Sequence, residues 1–287
     1  MKVTNRMSLP QSLVNACGTE RHNKEGCVSA TTLLKGVKQI ALEDRHWDEL
    51  EDDVSDRCWA LFGTAVHKLL EETNPTSFTE ESFSHEVCGK TVTGRVDLYD
   101  MAERTLTDYK TASVWKVMFG DFEDWRRQGL IYAWLMDKSG LQVDKCRFVA
   151  MLRDWSRGEA GRKAGYPQSQ VHVYEFEVGE RELEEAGAFV RKKVAELLEA
   201  EALADDDIPP CSPEERWEKP ATWAVMKAGR KTALRVFDTK EAAETQAAAI
   251  DGAYVEERKG TSARCEGYCL AAGFCSFAKG LKGGKVP

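Results

Sequence analysis

Apolar residues recur with helical and strand-like periods along most of the chain. Helical spacing over 28–51, 56–72, 115–138 and 181–204 predicts four helices. Runs rich in β-branched and aromatic residues predict strands at 83–87, 91–99, 105–111, 145–154 and 171–178. On the second helix we expect one side to be buried, formed by Leu61, Phe62, Val66, Leu69 and Leu70.

The chain changes character near residue 205. Three aspartates end the last long helix, and Pro209 and Pro210 follow them. Beyond this point, 221–258 predict a small ββαβ unit whose helix is capped by Thr239. We therefore expect an irregular leader over 1–28, a core over 29–204 and a C-terminal region over 205–287 that holds the small unit and a cysteine cluster.

Composition narrows the classes of protein. The 287 residues are 42% apolar and 31% charged, which is typical of a globular protein. No stretch approaches the roughly 18–20 consecutive apolar residues of a membrane helix. The first residues lack the apolar centre of a secretion signal, so we expect a cytoplasmic protein without a membrane partner. In that compartment, nine cysteines favour thiols or metal ligands over disulfides.

A net charge of −8 argues against broad coating of nucleic acid and leaves room only for local binding. Two basic clusters are candidates. One surrounds Arg230 on the predicted small hairpin beside Trp223, and the other runs from Arg147 to Lys163. A basic hairpin with an aromatic residue can follow phosphates and stack a base, whereas the alternative interpretation is a solvated turn.

The stretch 92–111 predicts a hairpin that carries two acids and a lysine. A tight turn centred on Ala102 and Glu103 places Asp97 opposite Asp108, and opposed Cβ atoms lie about 4.5–5.5 Å apart. Such carboxylates repel each other unless a cation such as Mg²⁺ lies between them. Lys110 follows Asp108 on the same side of the strand, where it can orient a water and stabilise charge on a phosphate. The alternative is an exposed hairpin with scattered charges.

Two predicted helices add candidates to this hairpin. His67 follows Gly63 by one turn, and a glycine there permits close approach to another element. Gln128 and Tyr132 share a helix face, with Trp125 nearby, and that face can meet a sugar-phosphate backbone. Taken singly, each has an ordinary alternative, such as a boundary histidine beside an apolar stripe.

Taken in order, the motifs G-T-A-V-H, G-R-V-D, D-Y-K-T and Q-G-L-I-Y resemble the PD-(D/E)XK nuclease superfamily, specifically its RecB-like exonuclease branch. That branch includes CRISPR-associated RecB-like exonucleases and phage recombination nucleases. The resemblance covers roughly 29–200 and implies an α/β, restriction-endonuclease-like core with a central mixed sheet flanked by helices.

The resemblance also implies a role for each matching residue. His67, Asp97 and Asp108 would be metal ligands together with the Tyr109 carbonyl, and Lys110 would be the catalytic lysine. Gln128 and Tyr132 would contact DNA and organise the site. Glu86, on the strand before the hairpin, is a further acidic candidate.

Cys265, Cys269 and Cys275 lie within eleven residues and need a fourth ligand to complete a Cys₄ site, for which Cys211 is our first choice. Iron–sulfur members of the family have three C-terminal cysteines and one upstream of the histidine motif. This sequence departs from that pattern in its first spacing, and no single upstream cysteine stands out among Cys17, Cys27 and Cys58. We expect a [4Fe–4S] cluster, with structural Zn²⁺ or free thiols as alternatives, and ordinary core roles for Cys88 and Cys146.

The expected function is a Mg²⁺- or Mn²⁺-dependent deoxyribonuclease, an exonuclease of phage-type recombination, repair or end processing. Its expected partners are DNA and, by analogy, an annealing protein or a helicase, in the host cytoplasm if the protein is viral. The alternative is a nuclease-fold DNA-binding or adaptor protein, stabilised by the Cys₄ site, without catalytic activity.

Overall fold

The computed structural model describes residues 1–18, 25–73 and 78–281 and divides the chain into two units, Met1–Ala202 (unit 1) and Leu203–Pro287 (unit 2). In chain order, unit 1 contains β1 (Lys2–Thr4), α1 (Gln11–Ala16), β2 (Cys27–Ser29), α2 (Ala30–Leu33), α3 (Val37–Arg45), β3 (Glu51–Asp53), α4 (Cys58–Thr73), β4 (Phe78–Val87), β5 (Lys90–Asp100), β6 (Thr105–Ala112), α5 (Val114–Phe119), α6 (Glu123–Lys138), β7 (Lys145–Leu152), α7 (Arg157–Ala160), β8 (Val171–Glu177) and α8 (Glu180–Ala202).

A six-stranded mixed sheet lies at the centre of unit 1. Its strands follow the order β2-β5-β6-β7-β8, and β4 pairs with β5 along nearly its whole length. The pairs β2–β5 and β6–β7 are parallel, and the pairs β4–β5, β5–β6 and β7–β8 are antiparallel. β6 is therefore an interior strand, hydrogen-bonded to a neighbour on each side.

Helices flank this sheet. α6 packs across β4, β5, β6 and β7, and α8 packs on α6 and α3. The side chains of Leu106, Ile131, Leu135, Phe148 and Val190 are almost fully buried between these layers. Their burial removes apolar surface from water, which is the main favourable contribution to folding. The expected α/β core, a mixed sheet flanked by helices, is confirmed.

Several elements differ from the sequence-based expectations. Residues 1–28, expected to be irregular, contain β1, α1 and the beginning of β2, and β1 pairs with β3. The helix expected over 28–51 is two short helices, with Gly36 as the N-cap of the second. The helix expected over 115–138 is also two helices, because Gly120 takes a left-handed conformation (φ +64°) that ends α5.

The apolar stripe of α4 is not buried as expected. Every residue of α4 is exposed or partly exposed, and Phe62 and Leu69 are exposed by 59% and 62%. Helical spacing of apolar residues predicts an apolar face and does not say whether another element covers it.

Unit 2 begins after α8. In chain order it contains β9 (Glu218–Lys219), β10 (Thr222–Lys227), β11 (Arg235–Phe237), α9 (Lys240–Ala248), β12 (Ala253–Arg258), β13 (Thr261–Ser262), α10 (Ala263–Gly267) and α11 (Ser276–Leu281). An antiparallel sheet in the order β11-β10-β12 packs against α9 around Val225, Ala243 and Ala247. Thr239 caps α9 through its hydroxyl, so the ββαβ arrangement matches the expectation. In the described part of the chain, no helix is both long and apolar enough to cross a membrane.

Candidate active site

The β5–β6 hairpin sets the position of the acidic residues. The Asp100 carboxylate accepts hydrogen bonds from the backbone N–H groups of Ala102 and Glu103, at 2.8 and 3.0 Å, which stabilises the turn. Strand pairing then runs from Asp100↔Thr105 to Leu98↔Thr107, which is the expected register. Asp97 precedes Leu98 in the chain and therefore lies next to the last of these pairs, on the side away from the turn.

Asp97 links the hairpin to α4. Where β5 and β6 stop pairing, the Tyr109 N–H donates to Asp97 Oδ2 at 2.7 Å. The other carboxylate oxygen, Oδ1, lies 3.1 Å from His67 Nδ1. This hydrogen bond raises the pKa of His67 above its usual value, since it favours the protonated ring. One turn earlier on α4, Gly63 lies against the Thr111 side chain of β6.

Asp108 and Lys110 form the second half of the site. Lys110 Nζ lies 2.7 Å from Asp108 Oδ2 and donates to Gln128 Oε1 at 2.9 Å. The Gln128 amide Nε2 donates to Asp108 Oδ1 at 3.1 Å and to the Tyr132 hydroxyl at 3.0 Å. One glutamine on α6 therefore holds the acid and the lysine of β6 in a fixed relation.

Burial controls the charge of Asp108, which is only 3% exposed. Burial raises its pKa to about 6, the neighbouring Lys110 ammonium opposes this rise, and the Asp97 charge adds to it. At neutral pH the carboxyl is therefore ionised, and its negative charge lies in a region of low dielectric.

Two residues that the sequence analysis did not assign to the site support it. The Phe148 ring lies below Lys110, with 5.6 Å between Nζ and the ring centroid. Gly94, the glycine of G-R-V-D, faces α6 so closely that a Cβ atom there would stand 2.9 Å from Tyr132 Cδ1. The motif supplied a signal for Gly94, whereas the β7 sequence alone gave none for Phe148.

Some expected residues lie elsewhere or have different surroundings. Glu86 is exposed and pairs with Thr91, six residues along β5 from Asp97, which is about 20 Å at ~3.3 Å per residue. It therefore does not belong to the cluster. Gln128 and Tyr132 are both buried, and Trp125 packs in the core against Phe148. These three side chains do not form the DNA-facing surface that we expected, because they lie beneath the surface of the protein.

The donor set suits a hard divalent cation. Asp97 and Asp108 contribute two carboxylates whose charges act on each other, and His67 contributes an imidazole nitrogen. Carboxylate oxygens are the protein ligands that Mg²⁺ prefers. Within residues 1–18, 25–73 and 78–281, no group of three or more His, Cys, Asp or Glu side chains is arranged so that it could hold a metal ion as it stands. The two carboxylates instead bond to His67, Lys110 and Gln128.

The clustered cysteines all lie in unit 2. Burial raises the pKa of the Cys265 thiol, and the neighbouring Cys211 and Cys275 thiols raise it further. Arg216 connects these segments, since its guanidinium donates to the Cys211 carbonyl and its own carbonyl accepts from Arg264 N–H at 3.1 Å.

The remaining cysteines are distributed over unit 1. This set includes Cys17, Cys27 and Cys58, which we considered as alternative fourth ligands. Cys146 is buried in β7, as expected. Cys88 is not a core residue, because it is exposed in the turn between β4 and β5 with φ +51°.

No protein-family model matches the sequence, and no curated protein matches it. Among solved structures, the chain is similar to a protein named SSO0001, with 17% identity, 64% of this chain and 82% of that chain covered, and a TM-score of 0.45. It is also similar to an alkaline exonuclease from Laribacter hongkongensis (14% identity, 61% and 89% covered, TM-score 0.39). A phage-related exonuclease from Haemophilus somnus is similar as well (14% identity, 66% and 93% covered, TM-score 0.38). The solved structures that this chain resembles thus include phage-related and alkaline exonucleases.

Proposed function

We propose that this protein is a metal-dependent DNA nuclease whose active site is the cluster of His67, Asp97, Asp108 and Lys110. The observation that carries the proposal is the contact between Lys110 Nζ and the buried Asp108 carboxylate, with Asp97 and His67 beside them. Burying an ionised carboxylate costs free energy unless the carboxylate is paired, and a second carboxylate beside it increases that free energy. An arrangement with this cost is typical of a functional site.

Asp97 and Asp108 are the proposed ligands of Mg²⁺ or Mn²⁺, with His67 and the Tyr109 carbonyl completing the set. A bound divalent cation supplies Lewis-acid polarisation of a phosphate and of a water molecule. Lys110 carries a positive charge beside the same carboxylates, where it stabilises negative charge that develops on a phosphodiester. Gln128 is a positioning residue, because it holds both Lys110 and Asp108 without reaching the surface.

We further propose that Cys211, Cys265, Cys269 and Cys275 hold a structural [4Fe–4S] cluster, with Zn²⁺ as the alternative. Two observations support the proposal: Cys211 and Cys275 lie near enough to Cys265 to raise the pKa of its thiol, and Arg216 links the Cys211 segment to the segment of Arg264 and Cys265. We expect purified protein to absorb in the visible region and Cys265→Ser to lose that absorbance and its iron. Cys88→Ser is the matched control, since Cys88 is exposed in unit 1. Stoichiometric zinc in colourless protein would favour the alternative, and metal retained by Cys265→Ser would contradict the site.

The finer role that we propose is exonuclease action in phage-type recombination, repair or end processing. An annealing protein or a helicase is the proposed partner in that role, and the cytoplasm is the proposed location. Exonuclease and endonuclease action can be distinguished by comparing linear DNA labelled at either end with circular DNA of the same sequence. An exonuclease degrades only the linear form, and degradation of covalently closed circles would contradict this part of the proposal.

Cleavage assays with Mg²⁺ and with Mn²⁺ test the active site itself. We expect Lys110→Ala and Asp108→Ala each to lower the cleavage rate by about a hundredfold or more, with unchanged circular dichroism. Lys145→Ala is the matched control, because Lys145 lies on the neighbouring strand β7 and contacts Glu177 at 3.8 Å. Cleavage at the wild-type rate by both site variants would overturn the assignment. A wild-type protein that binds DNA and cleaves none would favour the adaptor interpretation.

A further inference from the structure

Four exposed aromatic rings flank the carboxyl end of β6, and we name them the aromatic platform: Trp59, Phe62, Trp115 and Phe119. Trp59 and Phe62 lie on α4 with ring centroids 5.6 Å apart. Trp115 and Phe119 lie on α5 and stack at 5.7 Å with 26° between the ring planes. Their exposed fractions are 54%, 59%, 48% and 76% in chain order. Single exposed apolar side chains are common, whereas contiguous groups of exposed apolar side chains are typical of interaction surfaces.

A cation lies over one ring of each pair. The Arg153 guanidinium carbon is 4.6 Å from the centroid of Trp59, and Lys163 Nζ is 4.4 Å from the centroid of Trp115. These distances are those of cation–π contacts. Each aromatic pair therefore presents both an apolar ring face and a positive charge.

The aromatic platform is connected to the proposed active site. Arg153 Nη1 lies 3.4 Å from the carbonyl oxygen of Thr111, the residue that follows Lys110 on β6. The start of α5 is fixed at the same end of the sheet, because the Asp154 carboxylate accepts from Ser113 Oγ and from Val114 N–H. One DNA strand would thus contact the aromatic platform and reach the proposed active site.

The chemistry of the platform fits unpaired nucleotides. Bases stack on aromatic side chains, and nearby Arg and Lys side chains neutralise phosphates. The faces of the bases are accessible in single-stranded DNA and are covered in a duplex. In a protein of net charge −8, two cations beside exposed rings are a local attraction for a polyanion.

We infer that the aromatic platform binds an unpaired, single-stranded segment of DNA beside the proposed active site. This inference rests on the proposed nuclease function, since it names the form of DNA that the site receives. Stacking of one base on an aromatic side chain contributes about 1–3 kcal/mol, which corresponds to roughly 5- to 150-fold in affinity.

Fluorescence anisotropy with full-length protein in EDTA tests the inference without cleavage. The probes are a labelled single strand of about 20 thymidines and a blunt duplex of the same length. We expect Trp59→Ala/Phe62→Ala and Trp115→Ala/Phe119→Ala each to bind the single strand about tenfold or more weakly, and to bind the duplex within about threefold of wild type. Trp115→Phe should retain most of the affinity, because it keeps a ring. Leu69→Ala is the matched control, since Leu69 is an exposed apolar residue of α4 without a ring.

Each other outcome overturns the inference in a distinct way. If both double variants bind the single strand with wild-type affinity, the aromatic platform does not contribute to binding. If the affinity for the duplex falls as much as the affinity for the single strand, the platform does not prefer unpaired bases. A wild-type dimer that the variants dissociate would identify a second copy of the chain as the occupant. Because binding is measured without a divalent cation, an inactive wild-type protein would refute the nuclease proposal and leave the platform result standing.

Discussion

Gly94 is the position where one added methyl group tests how tightly β5 packs on α6. An alanine Cβ at this position would stand 2.7 Å from Leu135 Cδ1 and 2.9 Å from Tyr132 Cδ1. Both distances are shorter than real Cβ contacts. Leu135 is fully buried, and the Tyr132 hydroxyl accepts a hydrogen bond from Gln128, so neither side chain can move away without cost. The strain of Gly94→Ala must therefore spread into the packing of α6.

The net effect follows from two opposing contributions. Overpacking of a close-packed core costs about 1–3 kcal/mol. Alanine also restricts the unfolded chain more than glycine does, which stabilises the folded state by about 0.4–1 kcal/mol. We therefore expect Gly94→Ala to lower the free energy of unfolding of unit 1 by about 1–2 kcal/mol. For a unit of this size the midpoint of thermal unfolding should fall by about 2–8 °C.

Urea and thermal unfolding followed by circular dichroism and tryptophan fluorescence measure this change. Gly161→Ala is the matched control, because a Cβ there meets no atom within 4 Å and the residue has φ −80°. Because nothing opposes the restriction of the unfolded chain there, we expect the control to be as stable as wild type or more stable by up to about 1 kcal/mol. The reasoning fails if Gly94→Ala and Gly161→Ala unfold at the same urea concentration. Displacement of Tyr132 should also loosen Gln128, so we expect slower cleavage by Gly94→Ala under conditions where it is folded.

Two further predictions concern the buried acid and its glutamine. The pKa of Asp108 is about 6 in the folded protein, compared with its ordinary value of 3.8. Its contribution to the free energy of unfolding is therefore full below pH 3.8 and declines as the pH rises through 6. Relative to Asp108→Asn, the free energy of unfolding of wild type, measured with urea, should therefore fall by on the order of 1–3 kcal/mol between about pH 4 and about pH 7. Parallel curves of stability against pH for the two proteins would contradict this prediction. Gln128→Ala should lower kcat about tenfold and change KM less than about threefold, because the buried amide positions Lys110. A higher KM with unchanged kcat would instead indicate that Gln128 contacts DNA.

The hairpin that carries the acids could be predicted from sequence because its determinants are local. Turn residues around Ala102 and strand-like runs on both sides fix one register, and that register places Asp97 next to the last paired residues. The helix that supplies His67 could also be predicted, since its apolar spacing is regular.

Other features depend on tertiary context. A continuous apolar period over 115–138 does not reveal that Gly120 adopts a left-handed conformation and separates α5 from α6. The distance of Glu86 from the site follows from the β4–β5 turn at Cys88 and Gly89, where both residues have positive φ. The burial of Gln128 depends on α6 lying across the sheet, which the sequence does not specify.

The location of Asp108 and Lys110 on an interior strand has a consequence for engineering. β6 pairs with β7 along its whole length, including Asp108 and Lys110, whereas α4 and α5 carry their exposed rings on the outside. Randomised libraries confined to the outward positions of these two helices should therefore retarget substrate choice while the reactive groups keep their geometry. Directed evolution of new specificities can begin there without first repairing the scaffold.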